Sequence, residues 1–319
     1  MSDTLTHRTL RIDDAAAVAE LLMAMERAEP VDEAFSEQDL NEEFSGPGCD
    51  LGRGSIGIFQ GDRLIAAGWL LVNRAPAEWR ATLYGGVHPD HTGRGLGRRI
   101  LRELEDRASV IRAAETPELP GVIKVGVDGA RPRSLALLAA AGYETWRYFF
   151  RMRRDLATSV TAVPAPGGVQ IRPYLLGDDE AVRLLSNETF ADHWSSTPMD
   201  PAHWRAQFAE SVSFRPGHSL VAVLDCCIVS FLLVAEFDAD TAQRGHRTGY
   251  VARVGTARSV RGRRIASALL ATAVQDLAAA GYRFAELDVD SESPTGAGRL
   301  YQRAGFETVG SLQVSGRRF

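Results

Sequence analysis

Val87-His88-Pro89-Asp90-His91-Thr92-Gly93-Arg94-Gly95-Leu96-Gly97-Arg98 has a counterpart in the other half of the chain, Val254-Gly255-Thr256-Ala257-Arg258-Ser259-Val260-Arg261-Gly262-Arg263-Arg264-Ile265-Ala266. An apolar, strand-like run precedes each copy, Thr82 to Val87 and Tyr250 to Thr256. An amphipathic helical pattern follows each, Ile100 to Ser109 and Ile265 to Ala280. A glycine-rich turn that opens a helix presents amides without acceptors at the positive end of the helix dipole, and such a place suits a pyrophosphate. Two such turns predict a duplicated domain that binds a nucleotide cofactor.

The order of elements after each turn is also repeated. Phe284-Ala285-Glu286-Leu287-Asp288-Val289-Asp290 alternates as a strand, and Ser293 to Phe306 follows, ending Leu300-Tyr301-Gln302-Arg303-Ala304-Gly305-Phe306. In the first half Val122 to Asp128 is followed by Ser134 to Tyr143, with Leu138 standing where the second half has Tyr301. On these residues the chain resembles, twice over, the GNAT superfamily of acyl-CoA-dependent N-acyltransferases. The hallmark there is Val-x-Pro-x-x-Arg/Gln-x-x-Gly-x-Gly/Ala with a downstream Leu-Tyr-x-x-x-Gly-Phe. The tandem layout is most similar to the actinobacterial group that includes mycothiol synthase. The resemblance implies two mixed α/β domains, each a central, mostly antiparallel sheet with helices on both faces, and acetyl-CoA as cofactor.

A chain of 319 residues is long enough for two domains that each bury a core. Ala157 to Gly168 ends in Val163-Pro164-Ala165-Pro166-Gly167-Gly168 and lacks periodicity, so it reads as a linker. The expected domains are residues 1–156 and 169–319, joined by 157–168. Each opens with a short strand, Thr9 to Ile12 and Val169 to Pro173, then a helix with acidic residues at its start, Asp13-Asp14 and Asp178-Asp179. Hairpins are expected around Gly61-Asp62 and around Asp225-Cys226. The net charge of −5 argues against nucleic acid or an anionic membrane as partner, and the arginines at 151–154 read as solvated surface. No apolar stretch approaches a membrane span, and Cys49, Cys226 and Cys227 offer neither a disulfide framework nor a metal site. The expectation is a cytoplasmic protein, monomeric or homodimeric.

The resemblance also implies roles. The amine attacks the acyl-CoA thioester directly, the loop amides hold the pyrophosphate, and a backbone N–H on the preceding strand stabilises the oxyanion. Cofactor contacts then fall on Val87, Gly93, Arg94, Gly95, Leu96, Gly97 and Arg98 in the first half. In the second they fall on Val254, Gly255, Thr256, Arg261, Gly262, Arg263, Arg264, Ile265 and Ala266. Tyr301 aligns with the family tyrosine that protonates the departing thiolate. Leu138 has no proton to give, Thr92 replaces the usual Arg or Gln, and Arg264 stands where a loop glycine is usual. A Cβ at 264 strains the loop if a positive φ is required there.

No carboxylate ends either strand before the loop, so the base has to come from elsewhere. Glu286, Asp288 and Asp290 share one face of a strand that should be covered on both sides, which points to an acidic cleft for a cationic amine. Asp288 and Asp290 are therefore catalytic candidates and Glu286 an acceptor contact, with a solvated strand end as the plain alternative. His193 is a second candidate base, because imidazole titrates near neutrality. Its neighbours Asp192 and Trp194 are expected acceptor contacts.

Together these readings predict an acetyl-CoA-dependent N-acetyltransferase acting on a small-molecule amine in its C-terminal half, with a cofactor-binding, non-catalytic N-terminal half. The alternatives are an enzyme acting on protein or peptide N-termini and a non-catalytic acyl-CoA sensor, which Thr92, Leu138 and Arg264 would suit.

Overall fold

The computed structural model describes residues 5–159, 161–293 and 295–319. In chain order the strands are β1 (Leu5–Arg8), β2 (Ser55–Gln60), β3 (Arg63–Arg74), β4 (Trp79–Val87), β5 (Gly121–Asp128), β6 (Glu144–Asp155), β7 (Gln170–Pro173), β8 (Leu220–Leu224), β9 (Cys227–Ala235), β10 (Thr248–Thr256), β11 (Phe284–Asp290) and β12 (Glu307–Arg318). The helices are α1 (Ala15–Ala28), α2 (Glu37–Ser45), α3 (Leu51–Gly54), α4 (Leu96–Glu115), α5 (Pro132–Ala140), α6 (Asp179–Phe190), α7 (Pro201–Gln207), α8 (Asp238–Arg244), α9 (Ile265–Ala279) and α10 (Ala297–Arg303).

The chain divides into two compact units, one running to Tyr148 and including Gly310–Phe319, the other Phe149–Val309. These limits differ from the sequence boundaries at both ends. In unit one the sheet order is β1-β2-β3-β4-β5, closed by Leu312–Arg318 of β12, antiparallel to Val122–Asp128. In unit two it is β7-β8-β9-β10-β11, closed by Phe149–Asp155 of β6, antiparallel to Phe284–Asp290. The last strand of each half is therefore used in the sheet of the other unit. The arginines at 151–154 consequently lie on a sheet strand, where Arg154 is buried, and not on a solvated run.

Each sheet is mostly antiparallel, with one parallel pair, and that pair is cut short. β4 and β5 are bridged from Trp79–Gly121 to Thr82–Lys124, and β10 and β11 from Thr248–Phe284 to Tyr250–Glu286. Beyond these bridges the two strands of each pair are no longer hydrogen-bonded, so each sheet opens beside the strand that leads to the glycine loop. In unit two a bulge between Val251 and Arg253 marks the opening.

Period-two alternation covers both faces of unit one. Ile58, Ala66 and Leu70 pack beneath α4 with Ile100 and Leu104, while Phe59, Ala67 and Trp69 pack with Val18, Leu22 and Phe44 of α1 and α2. In unit two Phe231, Leu269, Val274 and Leu287 belong to one apolar core with Trp204 and Phe306. The first strand of unit one lies at Leu5–Arg8, ahead of the expected Thr9 to Ile12, because Asp14 draws the chain out of the sheet. Its carboxylate accepts the Arg11 amide at 2.7 Å and both terminal nitrogens of Arg8 at 2.7 and 2.8 Å. Unit two repeats the device, with Asp178 taking Arg172 at 2.6 and 2.8 Å. At the β8–β9 turn Asp225 and Cys226 both adopt positive φ, 49° and 62°, the geometry a two-residue hairpin requires, without the usual glycine. Among the described residues no helix is long and apolar enough to cross a membrane.

Candidate active site

Both loops end in a helix cap with left-handed backbone. Gly95 caps α4 at φ 79°, ψ 0°, and Arg264 caps α9 at φ 63°, ψ 18°. A positive φ, the condition under which a Cβ at 264 strains the loop, is present in both, so Arg264 occupies a conformation that favours glycine. Gly93 and Gly262 also have positive φ, 75° and 80°. No side chain caps either helix. In α4 the first helical bond runs from the Arg99 amide to the Gly95 carbonyl, so the amides of Leu96, Gly97 and Arg98 precede the ladder. In α9 the corresponding bond runs from Ala268 to Arg264 and leaves Ile265, Ala266 and Ser267 in that position. A Cβ at Gly93, Gly95 or Gly262 would meet nothing within 4 Å, so the loop itself is not crowded at these glycines. Arg94, Arg98, Arg261, Arg263 and Arg264 are exposed around it. Amides that precede the helical ladder, with exposed cations on the same loop, are suited to the pyrophosphate of acetyl-CoA in either unit.

The strand before each loop turns part of its backbone toward the sheet opening. The Ala257 amide donates to the Val229 carbonyl at 2.8 Å, and in an antiparallel pair such bonds alternate. Arg253 and Gly255 therefore bond toward β9, whereas Val254 and Thr256 direct N–H and C=O into the gap beside β11. The Thr256 carbonyl is taken by Arg261 Nε at 3.2 Å. The same argument in unit one, from His88 to Ile65 at 2.8 Å, turns Gly85 and Val87 toward the gap beside β5. Side chains at 253 and 255 leave the strand on the α6 face. A Cβ at Gly255 would come within 2.6 Å of Thr189 Oγ1 and 2.5 Å of Phe231, so only glycine lets α6 lie this close.

Tyr301 is 9% exposed, and its hydroxyl has no hydrogen-bond partner among the described residues. Burial pushes the phenol up to about 12, so it is protonated at neutral pH. Leu138 occupies the equivalent place in unit one. The amide of Tyr143 closes α5 on the Leu138 carbonyl at 3.0 Å, as that of Phe306 closes α10 on Tyr301.

The three carboxylates of β11 have different surroundings. Glu286, 5% exposed, is held by Arg153 and by Arg244 at 3.1 Å, which ties it into ion pairs. Asp290, also 5% exposed, accepts the Glu292 amide at 2.9 Å, and Asp128 of unit one accepts that of Ala130 at 2.8 Å. The repeat marks this aspartate as a turn former. Asp288 is exposed and accepts the Tyr250 hydroxyl at 3.0 Å. Burial and the adjacent Asp288 carboxylate push that phenol well above its usual range.

At the end of α6 the cluster around His193 is divided. The His193 ring packs on Phe190 at 4.7 Å between centroids, and Trp194 lies 6.5 Å from Phe149. Asp192 pairs with Arg258 of the loop before α9, and Glu188 accepts the Arg258 amide at 3.4 Å, so these two acids brace the loop. The other side of this group is Arg253, a residue that sequence reasoning passed over. Its guanidinium carbon sits 3.9 Å from the Phe190 centroid, its Nε is buried without a partner, and burial brings its pKa down to about 10. The signal was a lone arginine in an otherwise apolar strand, Tyr250-Val251-Ala252-Arg253-Val254, obscured by the bulge that shifts its face.

The sequence profile of the acetyltransferase (GNAT) family matches residues 16–123 and 180–306. A mycothiol acetyltransferase of Parafrankia sp. is 28% identical to this chain over 98% of its length and 97% of the relative's. One from Geodermatophilus obscurus is 30% identical over 97% and 96%. A solved GCN5-related N-acetyltransferase from Sphaerobacter thermophilus matches with a TM-score of 0.78 at 26% identity, covering 100% of this chain and 96% of that one.

Proposed function

The chain belongs to the GNAT family of acetyltransferases, N-acyltransferases that use acetyl-CoA, and from that premise we propose that unit two acetylates a small-molecule primary amine by direct attack on the thioester. Unit one then binds acetyl-CoA or CoA without turning it over. The observation that carries the division is Tyr301, a buried side chain whose hydroxyl is protonated and has no hydrogen-bond partner among the described residues, against Leu138 in the same place of unit one. The small-molecule acceptor is supported by relatives named mycothiol acetyltransferases that match over nearly the whole chain.

Acetyl-CoA supplies an acetyl group activated as a thioester. In this reading the amides opening α9 hold its pyrophosphate, with Arg263 and Arg264 beside them. The Val254 amide, directed into the gap beside β11, hydrogen-bonds the thioester oxygen as negative charge builds there. The amine nitrogen forms the new C–N bond and loses a proton to His193. The C–S bond breaks, and Tyr301 gives its proton to the leaving sulfur. Glu286 and Asp290 stay structural, since their carboxylates are already engaged. Asp288, beside Tyr250, is the exposed carboxylate of this strand and in this reading the one that attracts a cationic amine.

Tyr301→Phe tests the assignment. Removal of a general acid lowers turnover by about a hundred- to ten-thousandfold. Acetyl-CoA affinity, measured by calorimetry, should stay within about twofold, because the proton matters only as the C–S bond breaks. Full turnover in this variant would take Tyr301 out of the mechanism and the catalytic role away from unit two.

A further inference from the structure

Resting on unit two as the catalytic unit, we propose that its amine acceptor also bears a carboxylate, and that Arg253 binds it. The acceptor is then an amino acid or a close relative, with amine and carboxylate in one small molecule.

Arg253 differs from the arginines of unit two that are engaged in ion pairs. Arg153, Arg172, Arg215, Arg244 and Arg247 of the same unit each hold a carboxylate. Arg253 makes no ion pair or hydrogen bond among the described residues, and its Nε is buried. A guanidinium keeps its charge even where burial disfavours it, so the free protein bears an uncompensated cation. One face of the group lies on Phe190, at 3.9 Å from the centroid. Stacking occupies one face; of the in-plane N–H groups Nε is buried and the two terminal nitrogens are not, and this end of the fork can take the two oxygens of a carboxylate.

The placement suits an acceptor better than the cofactor. The side chain leaves the strand one residue before Val254, whose amide faces the gap, and it does so on the α6 face. The phosphate-binding amides lie beyond it, at the start of α9. His193 packs on the same Phe190 ring at 4.7 Å, so the group assigned to take the amine proton and the group assigned to take the carboxylate flank one aromatic side chain. Unit one has Tyr84 at the corresponding position, bridged to Trp69 as Arg253 is to Leu233, and no cation there. The unit without the acid also lacks the anchor.

The test uses the full chain, acetyl-CoA and matched pairs of L-amino acids and their carboxamides, with release of the CoA thiol as readout. The free acids should be preferred. Arg253→Met should erode that preference about ten- to a hundredfold, through KM for the acceptor and with KM for acetyl-CoA unchanged. Arg253→Lys should restore part of it. Without any acceptor, Arg253→Met should melt higher than the parent, because a half-buried cation with no ion pair among the described residues has been replaced by an apolar chain of similar volume. An intact preference in Arg253→Met, an equal rise in KM for acetyl-CoA, or a lower melting temperature would overturn the assignment. Turnover of carboxamides and amino sugars without preference for free acids would refute the carboxylate alone. Absence of turnover on every amine would refute the proposed function, and this assignment with it.

Discussion

Replacing Arg264 with glycine should make the protein more stable and its cofactor affinity weaker. Arg264 sits at φ 63°, ψ 18° as the cap of α9, and a residue with a Cβ is disfavoured there by about 1–2 kcal/mol. Glycine removes that strain but adds about 0.5–1 kcal/mol of unfolded-chain entropy. The net gain is about 0.5–1 kcal/mol, or roughly 1–3 °C in the transition of unit two. Nothing folded is lost, since the exposed guanidinium has no hydrogen bond or ion pair among the described residues. If that guanidinium meets a phosphate of CoA, its removal weakens binding by about 1 kcal/mol, some fivefold in Kd, because the contact is solvated. Arg264→Ala separates the two effects: it keeps the strained Cβ and loses the charge, so it should bind CoA as weakly as the glycine variant without the gain in stability. Thermal unfolding without ligand and calorimetry with CoA measure both quantities. Equal melting temperatures for the glycine and alanine variants would show that the strain does not exceed the ~0.5–1 kcal/mol of chain entropy that glycine costs. Unchanged CoA affinity in both would remove Arg264 from the phosphate site.

Gly95→Val should abolish one of two CoA sites per chain while most turnover persists, because its Cβ meets no atom within 4 Å and only the φ of 79° forbids it. Calorimetry that finds a single site in the parent, confined to unit two, would refute this. Glu236 is held down to about 2, first by hydrogen bonds from Arg247 and then against burial by Tyr282 and Arg215. A depressed carboxylate adds stability that is complete above the unfolded value of 4.5 and is lost as pH falls toward 2. Glu236→Gln should therefore cost about 3 kcal/mol at pH 7 and flatten the loss of stability below pH 4.5, read from melting temperature against pH. Asp288→Asn should raise the KM of a cationic amine by a few fold, with salt mimicking the change because the carboxylate is exposed, and should leave KM for acetyl-CoA alone. A parallel rise in both constants would make Asp288 structural.

Much of this protein was readable along the chain because its decisive signals are local. The loop at Thr92 to Gly97, its copy at Arg261 to Ala266, and the Leu-Tyr frame around Tyr301 each depend on residues a few positions apart. A turn, a cap and a helix start obey short-range sterics, so the loop pattern raised the question of a positive φ at position 264, which the structure answers, and the Leu-Tyr frame displayed the contrast between Tyr301 and Leu138 directly. The sheet topology came with the family resemblance.

The rest depended on partners far away in sequence. The strands that close the two sheets, Phe149–Asp155 and Leu312–Arg318, find their neighbours across more than a hundred residues, and nothing in their own alternation says which edge they join. The β11 carboxylates look alike in the sequence. Folding brings two arginines to Glu286, a turn amide to Asp290 and a tyrosine hydroxyl to Asp288, and so decides which acid is engaged and which is exposed. Arg253 is the opposite case, a charge that no carboxylate among the described residues reaches once the bulge has turned it onto Phe190. Local pattern predicted where a phosphate and an acid would belong. Only the packed structure could decide which charges remain unanswered, because electrostatic pairing depends on distance in space and not on separation along the chain.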